Sequence, residues 1–89
     1  MTNGVPRLRL LRRLGCHLCE DMERELSHLR LSFDTINIEL DAELERAYGE
    51  VIPVLMLGDT EIARAPQTSA TLEQALMRAG VLPGKGTNA

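Results

Sequence analysis

Gly15-Cys16-His17-Leu18-Cys19-Glu20-Asp21-Met22 is the stretch on which the fold of this chain turns. It holds both cysteines of the 89-residue sequence, two residues apart. That spacing sets one thiol at the start of a helix and the other one turn along. A thiol at a helix N-terminus meets unpaired N–H groups and the positive end of the dipole, which favours its thiolate. Two thiols so placed form a dithiol/disulfide couple.

Working outward from the pair, the pattern alternates between strand and helix. Upstream, Arg7-Leu8-Arg9-Leu10-Leu11-Arg12 starts with period two and reads as a first strand, with Leu14-Gly15 as its loop. Downstream, Leu18, Met22, Leu26 and Leu29 recur at helical spacing from about His17 to Arg30. Phe33 to Ile38 alternates again and reads as a second strand. Asp41 to Tyr48 reads as a short helix, capped by Asp41, with Leu44 and Ala47 inward and Gly49 ending it. Val51 to Leu57 is the most apolar run and reads as a central buried strand. Gly58-Asp59 makes a two-residue turn into a fourth strand, Thr60 to Ala63. After a break at Ala65-Pro66, Thr71-Leu72-Glu73-Gln74 fits a capping box, and Leu72, Ala75, Leu76 and Ala79 face inward on a last helix ended by Gly80.

The order is β-α-β-α-β-β-α. A crossover helix makes the first two strands parallel, and the tight turn makes the last two antiparallel. The expected architecture is α/β, a mixed four-stranded sheet with helices on both faces. One domain spans 1–82, followed by a small polar tail at 83–89. The cysteine pair falls at the carboxyl end of the first strand, where open α/β sheets bind ligands.

Composition narrows the function. Apolar residues make up 44% and charged residues 26%, as in ordinary globular proteins. No apolar run is long enough for a signal peptide or a membrane span, so the expected location is the cytoplasm, with no membrane partner. There a close cysteine pair points to catalysis or metal binding rather than a permanent staple. The net charge of −3 hides an asymmetry: residues 1–15 carry four arginines and no acid, and residues 16–50 carry ten acids against three arginines. The early arginines read as the solvated face and flank of an edge-like strand. They are not interleaved with aromatics, which excludes nucleic acid as the expected partner.

Strand, loop, Cys16-x-x-Cys19 and helix, followed by Val51-Ile52-Pro53-Val54 opening the third strand, resemble the thioredoxin superfamily. The short N-terminal approach and the Gly15–Met22 stretch are most similar to its small glutaredoxin-like family, over about residues 7–80. This resemblance implies a thioredoxin-like fold and a thiol–disulfide oxidoreductase. It implies a cis peptide at Ile52-Pro53, freeing the backbone of Ile52 for a substrate's backbone. Proline inside a buried strand forfeits a ladder bond, so its presence there independently asks for a reason.

The implied roles follow. Cys16, more exposed, is the nucleophile that takes up a substrate in a mixed disulfide; Cys19 resolves it. His17, Leu18, Ile52 and Pro53 are the candidate substrate contacts, with an imidazolium at His17 favouring the Cys16 thiolate and the charges of Glu20 and Asp21 opposing it. The partners are a disulfide-bearing protein or low-molecular-weight thiol compound, and a reductase or thiol donor; the chain is expected to be a monomer.

No resident cofactor or metal is implied. Glutathione is a candidate co-substrate, but Ala63-Arg64-Ala65-Pro66-Gln67 stands where glutathione-binding glutaredoxins carry Gly-Gly and an acid, so the donor stays open. Two other readings use the same residues. One is a zinc or iron–sulfur site, for which His28 is the one distal extra ligand on offer. The other is a redox-inactive interaction module.

Overall fold

The structure is a computed structural model that describes residues 7–64 and 68–82. Its elements are β1 (Leu8–Arg12), α1 (His17–His28), β2 (Asp34–Asn37), a 3-10 turn (Ile38–Leu40), α2 (Ala42–Tyr48), β3 (Val54–Leu57), β4 (Thr60–Arg64) and α3 (Ser69–Arg78). The expected order of strands and helices holds. The sheet runs β2-β1-β3-β4. β1 pairs in parallel with β2 and antiparallel with β3, and β3 pairs antiparallel with β4.

Alternation along β1 sends its residues into two cores. Leu8 and Leu10 join Met22 and Leu26 of α1, Leu55, and Leu72 and Leu76 of α3. Leu11 points the other way, with Ile38 and Val54, towards Leu44 and Tyr48 of α2. Helices therefore lie on both faces, and the cores are filled by aliphatic residues, with Leu10, Leu26, Leu55 and Leu76 fully buried.

Several local expectations are corrected. β1 is an interior strand, bonded on both sides, and not edge-like. The arginines at its two ends find partners in the following segment: Arg7 meets Asp34, Arg12 meets Glu23, and Arg13 meets Glu45. Three of the four early arginines are thus paired with acids of the segment that follows. On α1, Leu18 is 49% exposed and Cys19 takes the inner place with Met22 and Leu26. At about 100° per residue, Cys19, Met22 and Leu26 share one arc of the helix, and Leu18 falls outside its edge.

Ile38 leaves the second strand to open the 3-10 turn, as the Asn37 side chain accepts the Glu39 N–H at 3.0 Å. Asp41 caps α2 as expected, through the Glu43 and Leu44 N–H groups. Ala47 is exposed rather than inward, and α2 buries no residue fully. β3 begins only after Pro53, which has no N–H to give the ladder. The last helix starts at Ser69: Thr68 and Thr71 exchange backbone-to-side-chain bonds at 3.1 and 3.0 Å, so the capping box lies one turn before Thr71–Gln74. The expected break at Ala65-Pro66 and the 83–89 tail lie outside the described residues.

Candidate active site

Three segments collect at one end of the sheet. The parallel register sets Arg12 beside Asn37, so the loop after β1 and the 3-10 turn after β2 emerge side by side. The antiparallel register sets Val54 opposite Leu11, which brings Ile52-Pro53 to the same end. Gly15 lets the β1 loop turn: its φ is 78°, a conformation that costs a side-chain-bearing residue about 1–2 kcal/mol, and nothing crowds the space a Cβ would take. The Cys16 N–H closes the loop on the Arg13 carbonyl at 3.2 Å.

Cys16 is the N-cap of α1. Its backbone is extended, its carbonyl accepts the Glu20 N–H at 3.1 Å, and its Sγ accepts the Cys19 N–H, also at 3.1 Å. Sulfur here does the work usually done by a serine or aspartate oxygen. Once reduced, a thiolate at Cys16 keeps that N–H and gains the helix dipole, so the cap favours its charged form. The two cysteines are joined in a disulfide, with Cα atoms 5.2 Å apart. Cys16 is half-buried and Cys19 is fully buried.

The other expected site residues fall as follows. His17 and Leu18 stand exposed on the first turn of α1, between the two bonded cysteines. Ile52 is half-buried and Pro53 buried, and the peptide between them is cis, as expected. Among the expected site residues only the two cysteines are joined by a bond; Ile52 and Pro53 share the end of the sheet with them through strand register. His28 lies exposed in the last turn of α1, far along the helix from both thiols. Among the described residues no group of three or more His, Cys, Asp or Glu is arranged to hold a metal ion.

Several neighbours of the site escape a linear reading. Arg12 and Glu23 form a half-buried ion pair that ties the end of β1 to α1, one turn beyond Cys19. The alternation of β1 puts Arg12 on the α1 face with Leu10, and Glu23 follows Cys19 by four, so the signal was present without the pairing of strand and helix that connects it. Arg13 faces the opposite side, bonding the Gly49 carbonyl and Glu45 of α2, with Nε 3.9 Å from Glu39. Leu14 and Leu40 stand 72% and 85% exposed at this end.

A four-stranded mixed sheet with this topology, carrying a bonded Cys-x-x-Cys at the β1–α1 junction, defines a protein of thioredoxin-like fold. The chain belongs to the glutaredoxin-like family: the model of the Glutaredoxin-like domain (DUF836) matches residues 7–79. Among solved structures it is similar to protein XcR50 of X. campestris, at 33% identity over 80% of this chain and 96% of that one, with a TM-score of 0.73. Protein Ne2328 of Nitrosomonas europaea shares 30% identity over 83% and 96% of the two chains, with a TM-score of 0.67. The glutaredoxin grx-1 of Archaeoglobus fulgidus shares the fold at 16% identity, covering 82% and 88%, with a TM-score of 0.59. No curated protein matches the chain. Among the described residues no helix is long and apolar enough to cross a membrane.

Proposed function

We propose that the protein is a thiol–disulfide oxidoreductase working through both cysteines. The Cys16 thiolate attacks a sulfur of a substrate disulfide. The substrate S–S bond breaks, a mixed disulfide forms at Cys16, and the departing substrate sulfur takes up a proton. Cys19 then gives up its proton and attacks Cys16 Sγ, forming the intramolecular disulfide and releasing the second substrate thiol. Two electrons and two protons pass from the dithiol to the substrate. His17, Leu18, Ile52 and Pro53 form the surroundings against which the substrate sulfur is presented.

The observation that carries this reading is the contrast between the two bonded sulfurs. One caps a helix at the surface and the other is shut inside beneath it. An incoming disulfide reaches the first, and only an intramolecular partner reaches the second. The cycle closes when a donor reduces the pair, which places the reaction in a reducing compartment such as the cytoplasm. Glutathione and a flavoprotein-type reductase are the two donor classes to compare.

The test is direct. The reduced protein is to cleave a small disulfide faster than equimolar free dithiol. Cys16→Ser abolishes that turnover, and Cys19→Ser accumulates a mixed disulfide seen as added substrate mass. A Cys16→Ser variant as active as the parent would sink the assignment.

A further inference from the structure

Among the described residues, three large apolar side chains stand exposed: Leu14, Leu18 and Leu40. All three sit at the end of the sheet that holds the disulfide. Leu14 precedes Cys16 in the β1 loop, Leu18 lies between the cysteines, and Leu40 ends the 3-10 turn after β2. The strands that launch Leu14 and Leu40 are neighbours in register, Arg12 beside Asn37, and neighbouring strands lie about 4.8 Å apart. Arg13 and Glu39, each adjacent in sequence to one of these leucines, approach to 3.9 Å and hold the two loops together. Scattered surface leucines need no explanation. Confinement of every such residue to the redox end does.

Acids outnumber unpaired cations among the exposed charges at this end, where His17 stands between the cysteines and Arg46 lies on α2 beside Arg13. Glu20 stands exposed in the first turn of α1, and Asp41 and Glu43 at the start of α2, none with a cation within ion-pair distance among the described residues. Three of the nearby arginines are already engaged: Arg12 by Glu23, Arg13 by Glu45, Arg24 by Asp21. We infer that this end of the molecule docks a protein substrate, and that the segment carrying its cystine is apolar and basic. The leucines would cover apolar side chains beside the cystine, and the carboxylates would steer and hold its lysines or arginines. A small anionic disulfide meets neither term. This rests on the oxidoreductase reading and names its substrate class; the electron balance is that given above, two electrons from Cys16 and Cys19 to the substrate S–S bond.

The experiment compares three synthetic peptides with the same intramolecular disulfide, flanked by Leu and Arg, by Leu and Glu, or by Ser and Gly. Each is reduced by the dithiol form of the full chain, with hydroxyethyl disulfide as the small reference. The Leu/Arg peptide is expected to react about tenfold faster than the Leu/Glu peptide at low salt, with the gap shrinking at about 0.3 M salt. Leu14→Ser/Leu40→Ser brings the Leu/Arg peptide towards the Ser/Gly rate, and Glu20→Gln/Glu43→Gln removes the preference for Arg over Glu. Equal rates for all three peptides overturn the docking face, and equal rates for the two leucine peptides overturn its basic partner. Failure to reduce even hydroxyethyl disulfide overturns the oxidoreductase reading itself.

Discussion

Arg30 carries a backbone conformation that its side chain does not favour. It follows the last turn of α1 at φ 60°, where its N–H bonds the Ser27 carbonyl at 2.9 Å and the Leu31 N–H bonds the Leu26 carbonyl at 3.2 Å. α3 ends in the same paired bonds, Gly80 to Met77 and Val81 to Leu76, with glycine at φ 81° in the equivalent place. One motif thus occurs twice, once with the residue that suits it and once without. Arg30→Gly is expected to stabilise the protein by about 0.5–1 kcal/mol, since relief of the left-handed backbone exceeds the added freedom of the unfolded chain. Gly80→Ala is expected to cost about 1 kcal/mol, although no atom crowds the new Cβ. Urea denaturation of both variants measures the pair; a destabilised Arg30→Gly would refute the account.

At the scale of elements, Arg12 at the end of β1 and Arg13 just beyond it tie the strand to a helix on each face. Arg12 reaches α1 through Glu23 on one face, and Arg13 reaches α2 through Glu45 and Gly49 on the other. β4 uses a different device. Its register shifts by one residue between Leu55 and Met56, so Ile62 is extra and Glu61 and Arg64, three apart, come to the same face and pair.

The Arg12–Glu23 side chains are mostly screened from water, at 16% and 27% exposure, so the pair is worth more than a surface bridge. Removing one member leaves a half-buried charge, and Arg12→Met is expected to cost about 2 kcal/mol. A double-mutant cycle with Glu23→Gln should return a coupling of about 1 kcal/mol, and zero coupling would show that the strand-to-helix tie is only packing.

Periodicity found each strand and helix because those signals are local. Strand order is not local: nothing in Arg7–Arg12 tells that Val54–Leu57 will cover its second edge, and so β1 read as edge-like. Capping failed for a related reason. Thr68-Ser69-Ala70-Thr71 lacks the acid that marks a box, while Thr71-Leu72-Glu73-Gln74 offers a better match one turn too late. At the site, Cys16, Cys19 and Pro53 were legible as a spacing and an out-of-place proline. Leu14, Leu40, Arg12 and Glu23 were not, because their meaning lies in which strand ends are neighbours.

For the whole molecule, carboxylates paired with arginines set the response to acid. The Arg7 guanidinium donates two bonds of 3.0 Å to the Asp34 carboxylate, joining the start of β1 to β2, and Arg64 donates two bonds to the Glu61 carboxylate within β4. Hydrogen bonding to the arginine is the largest cause in each case, and it holds both carboxyls below their ordinary range. A carboxyl with a depressed folded-state value binds its proton more readily in the unfolded chain. Its stabilising share is therefore complete above the ordinary carboxylate range, about pH 4, and is lost as pH falls through the lower folded value. Both groups are exposed, so each share is small and weakens with salt. The midpoint of urea unfolding is expected to fall from about pH 5 towards pH 3 at low ionic strength. Asp34→Asn with Glu61→Gln should flatten that fall while leaving neutral-pH stability only slightly lower. An unchanged slope in the double variant would assign the acid response to other carboxylates.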